Sequence, residues 1–170
     1  MAQVSIINNE IKIYAIEKQY IEYLHKFDNR VSLKENRRFS GIILRVNSIH
    51  YLIPLTSRPL RNNGKKRNSR TTVEIYNEHR ELIAALLINN MIPVSESSYS
   101  LIDVKNEPYK DYLNNEIIYL RNEKVKREIT RKVENVFRMV IDEKDEFMTK
   151  FCCDFETLEK KCLEYNTQSA

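Results

Sequence analysis

The sequence predicts an α+β fold: a strongly twisted antiparallel β-sheet of about five to six strands, wrapped by helices and followed by a helical C-terminal part. Two observations lead to this fold class. Short β-branched and apolar runs cluster in residues 11–104, whereas apolar side chains recur at helical spacing beyond Pro108. The 170 residues, 42% of them hydrophobic, can bury one core but hardly two, so residues 1–170 are predicted to form a single domain.

Six apolar runs, most of them β-branched or alternating, predict the strands. They cover residues 11–16, 39–46, 49–55, 71–76, 81–88 and 101–104. Asn47-Ser48 is a plausible two-residue turn that joins the second and third runs into a hairpin. Pro54 has no N–H to donate to a ladder, so it predicts that the returning strand stops there and that Thr56 and Ser57 lie where the strand gives way to a loop.

Helical periodicity marks one helix in the first half of the chain and further helices at its end. Residues 17–27 carry apolar side chains at Tyr20, Ile21 and Leu24. Pro108 suits the first turn of a helix. Beyond it, apolar positions recur through three stretches and predict two or three helices that pack over the sheet. These stretches cover residues 112–120, 129–140 and 147–163.

Positive charge is concentrated in the middle of the chain. Residues 30–70 hold eleven basic residues and one acidic residue, a local charge of +10, while the rest of the chain carries −6. Most of these cations lie in two predicted loops, residues 28–38 and 58–70, on either side of the central hairpin. If the fold holds them on one face, their field attracts phosphate groups, so the pattern favours a nucleic-acid or phosphate-binding surface over a merely solvated loop.

No segment is predicted to cross a membrane, because the longest apolar run, residues 82–88, is far shorter than the roughly twenty residues that a spanning helix needs. The first residues do not resemble a signal peptide, so a cytoplasmic location is expected. Cys152, Cys153 and Cys162 are odd in number and accompanied by neither a CxxC spacing nor paired histidines. They are predicted to be reduced thiols packed on a helix, and no metal or cofactor is predicted.

Several blocks of the sequence together carry a resemblance to a known family. Pro54-Leu55-Thr56-Ser57 ends the central hairpin, and Asn89-Asn90-Met91-Ile92-Pro93 follows the second hairpin. Residues 20–24, residues 36–44 and the charge-rich helical tail complete the pattern. Over nearly its whole length the chain thus resembles the ToxN/AbiQ toxins, the endoribonuclease half of type III toxin–antitoxin systems.

The resemblance implies a metal-independent endoribonuclease that uses no cofactor. It implies cleavage by attack of the RNA 2′-hydroxyl, which leaves a 2′,3′-cyclic phosphate. It further implies a toxin of phage defence or growth arrest whose inhibitor is a repeated, pseudoknotted small RNA antitoxin. In such systems the toxin processes this RNA and remains bound to it in a closed assembly of alternating protein and RNA.

Ser57 matches the serine that the family places at its active site, and Thr56 matches the threonine beside it. Both hydroxyls could reach a phosphate oxygen or the 2′-hydroxyl. From the residues alone, a Ser/Thr pair that satisfies loop backbone groups is the preferred interpretation, and it is the family match that puts Ser57 ahead. The family usually continues Thr-Ser-Pro-Lys, whereas this chain reads Thr56-Ser57-Arg58-Pro59-Leu60-Arg61. Arg58 or Arg61 could therefore replace the charge of the missing lysine.

The family's basic residue before the first central strand is usually a lysine, and here Arg37 and Arg38 occupy that stretch. Arginine stabilises phosphate charge but stays protonated, so it is a poor general base. Lys34, slightly upstream, is the first candidate for the proton acceptor, and His50 is a weaker one because a lone histidine on a strand is more often structural. The predicted catalytic residues are Ser57, Thr56, Lys34 and Arg38.

The remaining cations around the hairpin and in the loop after it are predicted to bind RNA. They are Arg37, Arg45, Arg58, Arg61, Lys65, Lys66, Arg67 and Arg70. Four tyrosines could stack on unpaired bases, but tyrosines at such spacings are more often core residues whose hydroxyl group reaches solvent. They are Tyr14, Tyr20, Tyr23 and Tyr51. The alternative function is a non-catalytic RNA- or DNA-binding regulator that uses the same basic face.

Overall fold

The computed structural model describes residues 2–33 and 39–168, and this part of the chain forms one antiparallel sheet of eight strands with five α-helices. The strands are β1 (Val4–Ile6), β2 (Tyr14–Ile16), β3 (Ser40–Val46), β4 (Ile49–Thr56), β5 (Thr72–Tyr76), β6 (Leu82–Leu87), β7 (Ile92–Val94) and β8 (Tyr99–Leu101). Six follow one another in the order β5-β6-β4-β3-β2-β8, while β1 pairs with β3 and β7 with β4. The predicted α+β class is confirmed, and β1 and β7 are short strands beyond the predicted five to six.

The limits of three strands differ from their predicted limits. β2 is shorter than the predicted strand over residues 11–16, although Ile11 and Ile13 ahead of it are buried. β8 lies earlier than the strand predicted for residues 101–104, since its residues pair with β2. β4 continues past Pro54, where a stop was predicted, because Leu55 and Thr56 find a new partner strand in β6.

The five helices are α1 (Lys18–His25), α2 (Lys110–Leu120), α3 (Glu123–Phe137), α4 (Glu146–Phe151) and α5 (Phe155–Gln168). Four of them follow Pro108, where two or three were predicted, because the last apolar stretch is divided by extended backbone at Cys152. The Asp145 side chain caps α4 by accepting from the Met148 amide at 2.9 Å. Within the described ranges, no helix is both long and apolar enough to cross a membrane.

The hairpin of β3 and β4 occupies the centre of the sheet. Asn47 and Ser48 form its two-residue turn, as predicted, with Asn47 at a φ of 57°. The register runs without interruption from Val46 opposite Ile49 to Gly41 opposite Pro54. Residues 41–44 and 51–55 are all buried, which accounts for apolar runs that do not alternate.

Gly41 and Pro54 mark the point where β4 changes its neighbours. A Cβ on Gly41 would lie 2.0 Å from the carbonyl oxygen of Ile53, so only glycine allows this approach of the two backbones. Pairing of β4 with β3 ends at Pro54, and the next residue, Leu55, pairs with Leu86 of β6. β4 is therefore shared by two parts of the sheet: it pairs with β3 up to Pro54, and Leu55 and Thr56 pair with β6.

The Asn-Asn block is a short 3-10 turn (Ile88–Asn90) between β6 and β7. The Asn90 side-chain amide donates to the carbonyl of Arg30 at 2.8 Å, in the loop after α1. The carbonyl of Asn89 accepts from the Cys153 amide at 2.9 Å, between α4 and α5. The block therefore ties the sheet to two distant segments of the chain.

Asp28 organises the loop after α1. Its side chain is 3% exposed and accepts from the Arg30 guanidinium at 2.8 Å and from the Asp154 amide at 2.6 Å. Arg30 also donates to the carbonyls of Thr149 and Lys150 near the end of α4, at 2.7 and 3.1 Å. Burial alone would raise the pKa of the Asp28 carboxyl, but these hydrogen bonds outweigh burial, so its pKa lies below the ordinary value.

Tyr51 connects the centre of the sheet to the C-terminal helices. Its buried hydroxyl donates to Glu159 of α5 at 2.6 Å, and its ring meets Phe137 and Phe155 edge-on at 5.4 and 6.0 Å. Tyr20 is equally buried and donates to the carbonyl of Pro93 on β7. Both tyrosines are thus core residues. The three cysteines are free and buried, as predicted, but only Cys162 lies on a helix, because Cys152 and Cys153 fall in the break between α4 and α5.

We predict that Asp28→Asn lowers the free energy of unfolding by about 3 kcal/mol, because it leaves a largely buried guanidinium without its carboxylate. A carboxyl with a lowered folded-state pKa stabilises the fold above its unfolded pKa of about 3.9, and that contribution disappears as the pH falls through the folded value. Denaturant unfolding at pH 7 and below pH 4 measures both effects. The variant loses less stability than the parent on acidification, whereas the exposed control Asp142→Asn follows the parent.

We predict that Gly41→Ala destabilises the protein by several kcal/mol or prevents folding, because the added methyl group meets the β4 backbone rather than a movable side chain. Gly64→Ala is the matched control. It has open space within 4 Å but a φ of 80°, so it costs only about 1 kcal/mol of left-handed strain. Thermal unfolding compares the two, and equal losses would contradict the proposed close approach.

Candidate active site

β4 ends at Thr56, and the chain turns away from the sheet at Ser57. Both residues are half-buried, and Thr56 pairs with Ala85 of β6. The Thr56 hydroxyl accepts from the Arg58 amide at 3.1 Å, which starts the following loop. The two hydroxyl-bearing residues therefore lie where a buried strand meets solvent, the position expected for them.

The segment 58–70, called the basic loop below, is folded by its own hydrogen bonds. Leu60 and Lys66 form an antiparallel bridge, and the Arg61 amide donates to the Lys65 carbonyl at 2.9 Å. Gly64, at a φ of 80°, closes the tip by donating to the carbonyl of Arg61, also at 2.9 Å. The loop is thus a small hairpin.

Arg67 fastens the two ends of the basic loop together. Its Nε and Nη2 donate to the carbonyl of Arg58 at 3.2 and 2.9 Å. Burial, and then repulsion by the nearby Arg61, lower the pKa of the Arg67 guanidinium. The loop therefore holds cations close enough to repel one another, and an anion bound between them would relieve that repulsion.

Lys66 and Arg70 lie at the margins of the basic loop. The Lys66 ammonium is 3.9 Å from the carboxylate of Glu74 on β5, and its side chain is 76% exposed. The Arg70 guanidinium lies 5.8 Å from the ring centre of Phe147 on α4. With Arg58, Arg61 and Lys65, which are also exposed, they form a positive surface directly after Ser57.

Two basic residues of the stretch 30–70, Arg30 and Arg45, do not join this surface, and His50 does not join it either. Arg30 is engaged by Asp28, as described above. Arg45 is exposed on β3 and pairs with His50 of β4, near the turn of the central hairpin. Along the strand, Thr56 is about 20 Å from His50 at about 3.3 Å per residue, so the structure separates both residues from Ser57. Of the eleven cations in residues 30–70, the fold therefore brings six together in the basic loop and places Arg30 and Arg45 elsewhere.

Lys34, Arg37 and Arg38, which were predicted to contribute to catalysis or RNA binding, lie outside the described residues. The second described range begins at Phe39, whose carbonyl accepts a hydrogen bond from the Ile16 amide at 3.0 Å. Since Gly41 lies opposite Pro54, the start of β3 and the end of β4 at Thr56 are at the same end of the hairpin.

A cavity of about 170 Å³ opens beside Arg67. Its lining residues come from the basic loop, β5, α2 and α3, and are Arg67, Ser69, Thr72, Glu74, Tyr76, Tyr119, Glu128 and Lys132. Apart from Arg67, which was predicted to bind RNA, no sequence motif pointed to them, because they are far apart along the chain. The one available signal was the alternation of Thr72, Glu74 and Tyr76, which marks a polar face of β5.

The described ranges hold no group of three or more histidine, cysteine, aspartate or glutamate side chains placed to bind a metal ion. At the end of β4, the described residues offer hydroxyl groups and fixed cations. Such groups can hold a phosphodiester and stabilise negative charge that develops on it.

The comparisons with known proteins agree with this picture. Residues 12–163 match the family model described as "Toxin ToxN, type III toxin-antitoxin system". The endoribonuclease ToxN of Bacillus thuringiensis subsp. kurstaki is 33% identical over 91% of this chain and 84% of its own length. The endoribonuclease AbiQ of Lactococcus lactis subsp. lactis is 30% identical over 96% and 94%.

Three solved structures share the fold. One, from work on selective toxin inhibition by a non-coding RNA pseudoknot, superposes with a TM-score of 0.80 at 32% identity, over 92% of this chain and 98% of that one. AbiQ, a lactococcal anti-phage endoribonuclease, gives 0.78 at 29%, over 93% and 99%. A protein from a bacterial antiviral system regulated by a processed non-coding RNA gives 0.73 at 26%, over 90% and 98%. The chain therefore belongs to the ToxN/AbiQ family of endoribonuclease toxins from type III toxin–antitoxin systems.

Proposed function

We propose that this endoribonuclease cleaves RNA at Thr56 and Ser57 without a metal ion. The 2′-hydroxyl of the substrate attacks the adjacent phosphodiester, which leaves a 2′,3′-cyclic phosphate and releases the 5′-oxygen. One observation carries the proposal: two hydroxyl-bearing residues at the end of β4 lead directly into a hydrogen-bonded loop that holds six cations.

The hydroxyl groups can bind the scissile phosphate. Because the Thr56 hydroxyl accepts from the Arg58 amide, its own proton can be donated to a non-bridging phosphate oxygen. Ser57 follows directly, half-buried at the mouth of the loop, where its hydroxyl could donate to the same phosphate or orient the 2′-hydroxyl. Donors fixed in this way stabilise the additional negative charge of the transition state.

The arginines of the basic loop supply charge rather than a proton acceptor. Arg58 and Arg61 are exposed and follow Ser57 in the basic loop, and an arginine side chain is a poor proton acceptor. We therefore retain Lys34 as the candidate general base and Arg38 as a further source of positive charge. His50, the weaker candidate, is disfavoured by its distance from Ser57 along β4.

We further propose that the inhibitor of this toxin is a repeated small RNA that folds as a pseudoknot and that the toxin itself processes. The support is that one structural relative is inhibited by a non-coding RNA pseudoknot and another belongs to a system regulated by a processed non-coding RNA. A closed assembly of alternating protein and RNA units, acting in phage defence, is the form expected for the inhibited complex.

We predict that Ser57→Ala lowers the rate of RNA cleavage by about 100-fold or more, the usual loss on removing one fixed donor from a transition state. RNA affinity changes by no more than about 1 kcal/mol, because the cations remain. Single-turnover cleavage in excess chelator, with analysis of the cyclic-phosphate ends, measures the rate. Ser48→Ala, at the exposed turn of the same hairpin, is the control. A Ser57→Ala variant that cleaves RNA at the rate of the parent would contradict the assignment of Ser57 to the active site.

We predict that Arg61→Gln weakens RNA binding uniformly across sequences and reduces the slope of log affinity against log salt concentration by about one. The reason is that each phosphate contact made by an arginine releases counterions. Filter binding to an uncleavable RNA over a range of salt concentrations measures the slope. The exposed Lys18→Gln on α1 provides the control, and an unchanged slope for Arg61→Gln would remove this residue from the RNA-binding surface.

A further inference from the structure

The cavity beside the basic loop has a floor and two walls of different chemistry. Thr72, Glu74 and Tyr76 of β5 form the floor, Tyr119 of α2 contributes an aromatic wall, and Glu128 and Lys132 of α3 contribute a charged one. At about 170 Å³ it is smaller than the pockets of roughly 300–1,000 Å³ that hold drug-sized ligands. Its size therefore suits a single planar ring system.

The cavity is connected to the end of β4 in two ways. The Arg67 guanidinium lines it and also donates to the carbonyl of Arg58, next to Ser57. In addition, Thr56 pairs with Ala85, which pairs with Glu74, so all three side chains point to the same face of the sheet. At about 4.8 Å per strand, Glu74 lies only about 10 Å from Thr56 across β6.

The lining resembles a site for an unpaired base. The rings of Tyr76 and Tyr119 lie 5.9 Å apart at an angle of 58°, and aromatic rings are the usual stacking partners of splayed-out RNA bases. Glu74 and Glu128 place carboxylate oxygens among these rings, where they can accept hydrogen bonds from a base edge. Carboxylates read exocyclic amino groups in this way.

The same lining disfavours a phosphate group. Glu128 is paired with Lys132 at 2.9 Å, and the Lys132 ammonium also donates to the Thr72 carbonyl at 2.8 Å. Glu74 accepts from the Tyr76 hydroxyl at 3.0 Å, and its only cation within ion-pair distance among the described residues is the largely exposed Lys66. The two carboxylates offset the positive charges of Arg67 and Lys132, so this lining favours a neutral base that donates hydrogen bonds over an anion.

We propose that this cavity receives an unpaired RNA base close to the scissile phosphate and selects a base that carries an exocyclic amino group, with Glu74 as the specificity-determining residue. Adenine, cytosine and guanine satisfy this requirement, and uracil does not. The proposal rests on the proposed cleavage at Ser57, since that site fixes which nucleotide lies near the cavity.

The test uses the full chain and short RNAs built around one mapped cleavage sequence. In each RNA, one nucleotide flanking the cut loses only its amino group: adenine becomes purine, guanine becomes hypoxanthine and cytosine becomes 2-pyrimidinone. At one flanking position, we expect the parent to lose roughly 5- to 100-fold in kcat/KM, the discrimination of one carboxylate-to-base contact. The Glu74→Gln variant carries an amide that both donates and accepts hydrogen bonds. It is therefore expected to cleave the original RNA and the RNA without the amino group at nearly equal rates.

Glu78→Gln, an exposed residue in the turn of the same β5–β6 hairpin, is the matched control and retains the parent's discrimination. If thermal unfolding shows that Glu74→Gln does not fold, Glu128→Gln on α3 provides the second carboxylate variant. A parent without discrimination at any flanking position, or folded carboxylate variants that discriminate like the parent, would overturn the proposal. Absence of cyclic-phosphate ends with the parent is a separate readout and would instead overturn the proposed cleavage chemistry.

Discussion

The close approach of Gly41 and Pro54 is the constraint on which the position of the candidate active site depends. A residue with a Cβ at Gly41 would collide with the carbonyl of Ile53. Pairing of β4 with β3 stops at Pro54, and β4 then pairs with β6 from Leu55 onwards. One strand thereby carries both the centre of the core and Thr56, so the hydroxyl-bearing end of β4 is anchored as firmly as the core itself.

The two sequence blocks that most resemble the family differ in kind. Pro54-Leu55-Thr56-Ser57 ends at the candidate site, whereas Asn89 and Asn90 make hydrogen bonds that hold the chain together. Their partners are Cys153, between the last two helices, and Arg30, in the loop after α1. Arg30 is bound in turn by the buried Asp28. A family motif can therefore reflect the assembly of the fold rather than its chemistry.

Local patterns predicted the elements that local interactions determine. The two-residue turn at Asn47 and the periodicity of α1 were visible in the sequence. β1 and β7 were not, because both are too short to show a period and β7 has Pro93 at its centre, a residue that argues against a strand. The strand at Pro54 continued because β6, distant in sequence, supplied a partner. The site shows the same division. Consecutive charges placed the basic loop beside Ser57, whereas the separation of Arg45 and the assembly of the cavity depend on pairing between distant segments.

The folded state of the basic loop has a consequence for the speed with which RNA is captured. Its Leu60–Lys66 bridge and the clamp by Arg67 already fix the backbone that carries the charges. A preformed surface of this kind loses little conformational entropy when a partner arrives. Long-range attraction then acts on a surface that is ready to bind, which favours rapid encounter. For a toxin whose proposed inhibitor is an RNA, such fast association shortens the time before inhibition.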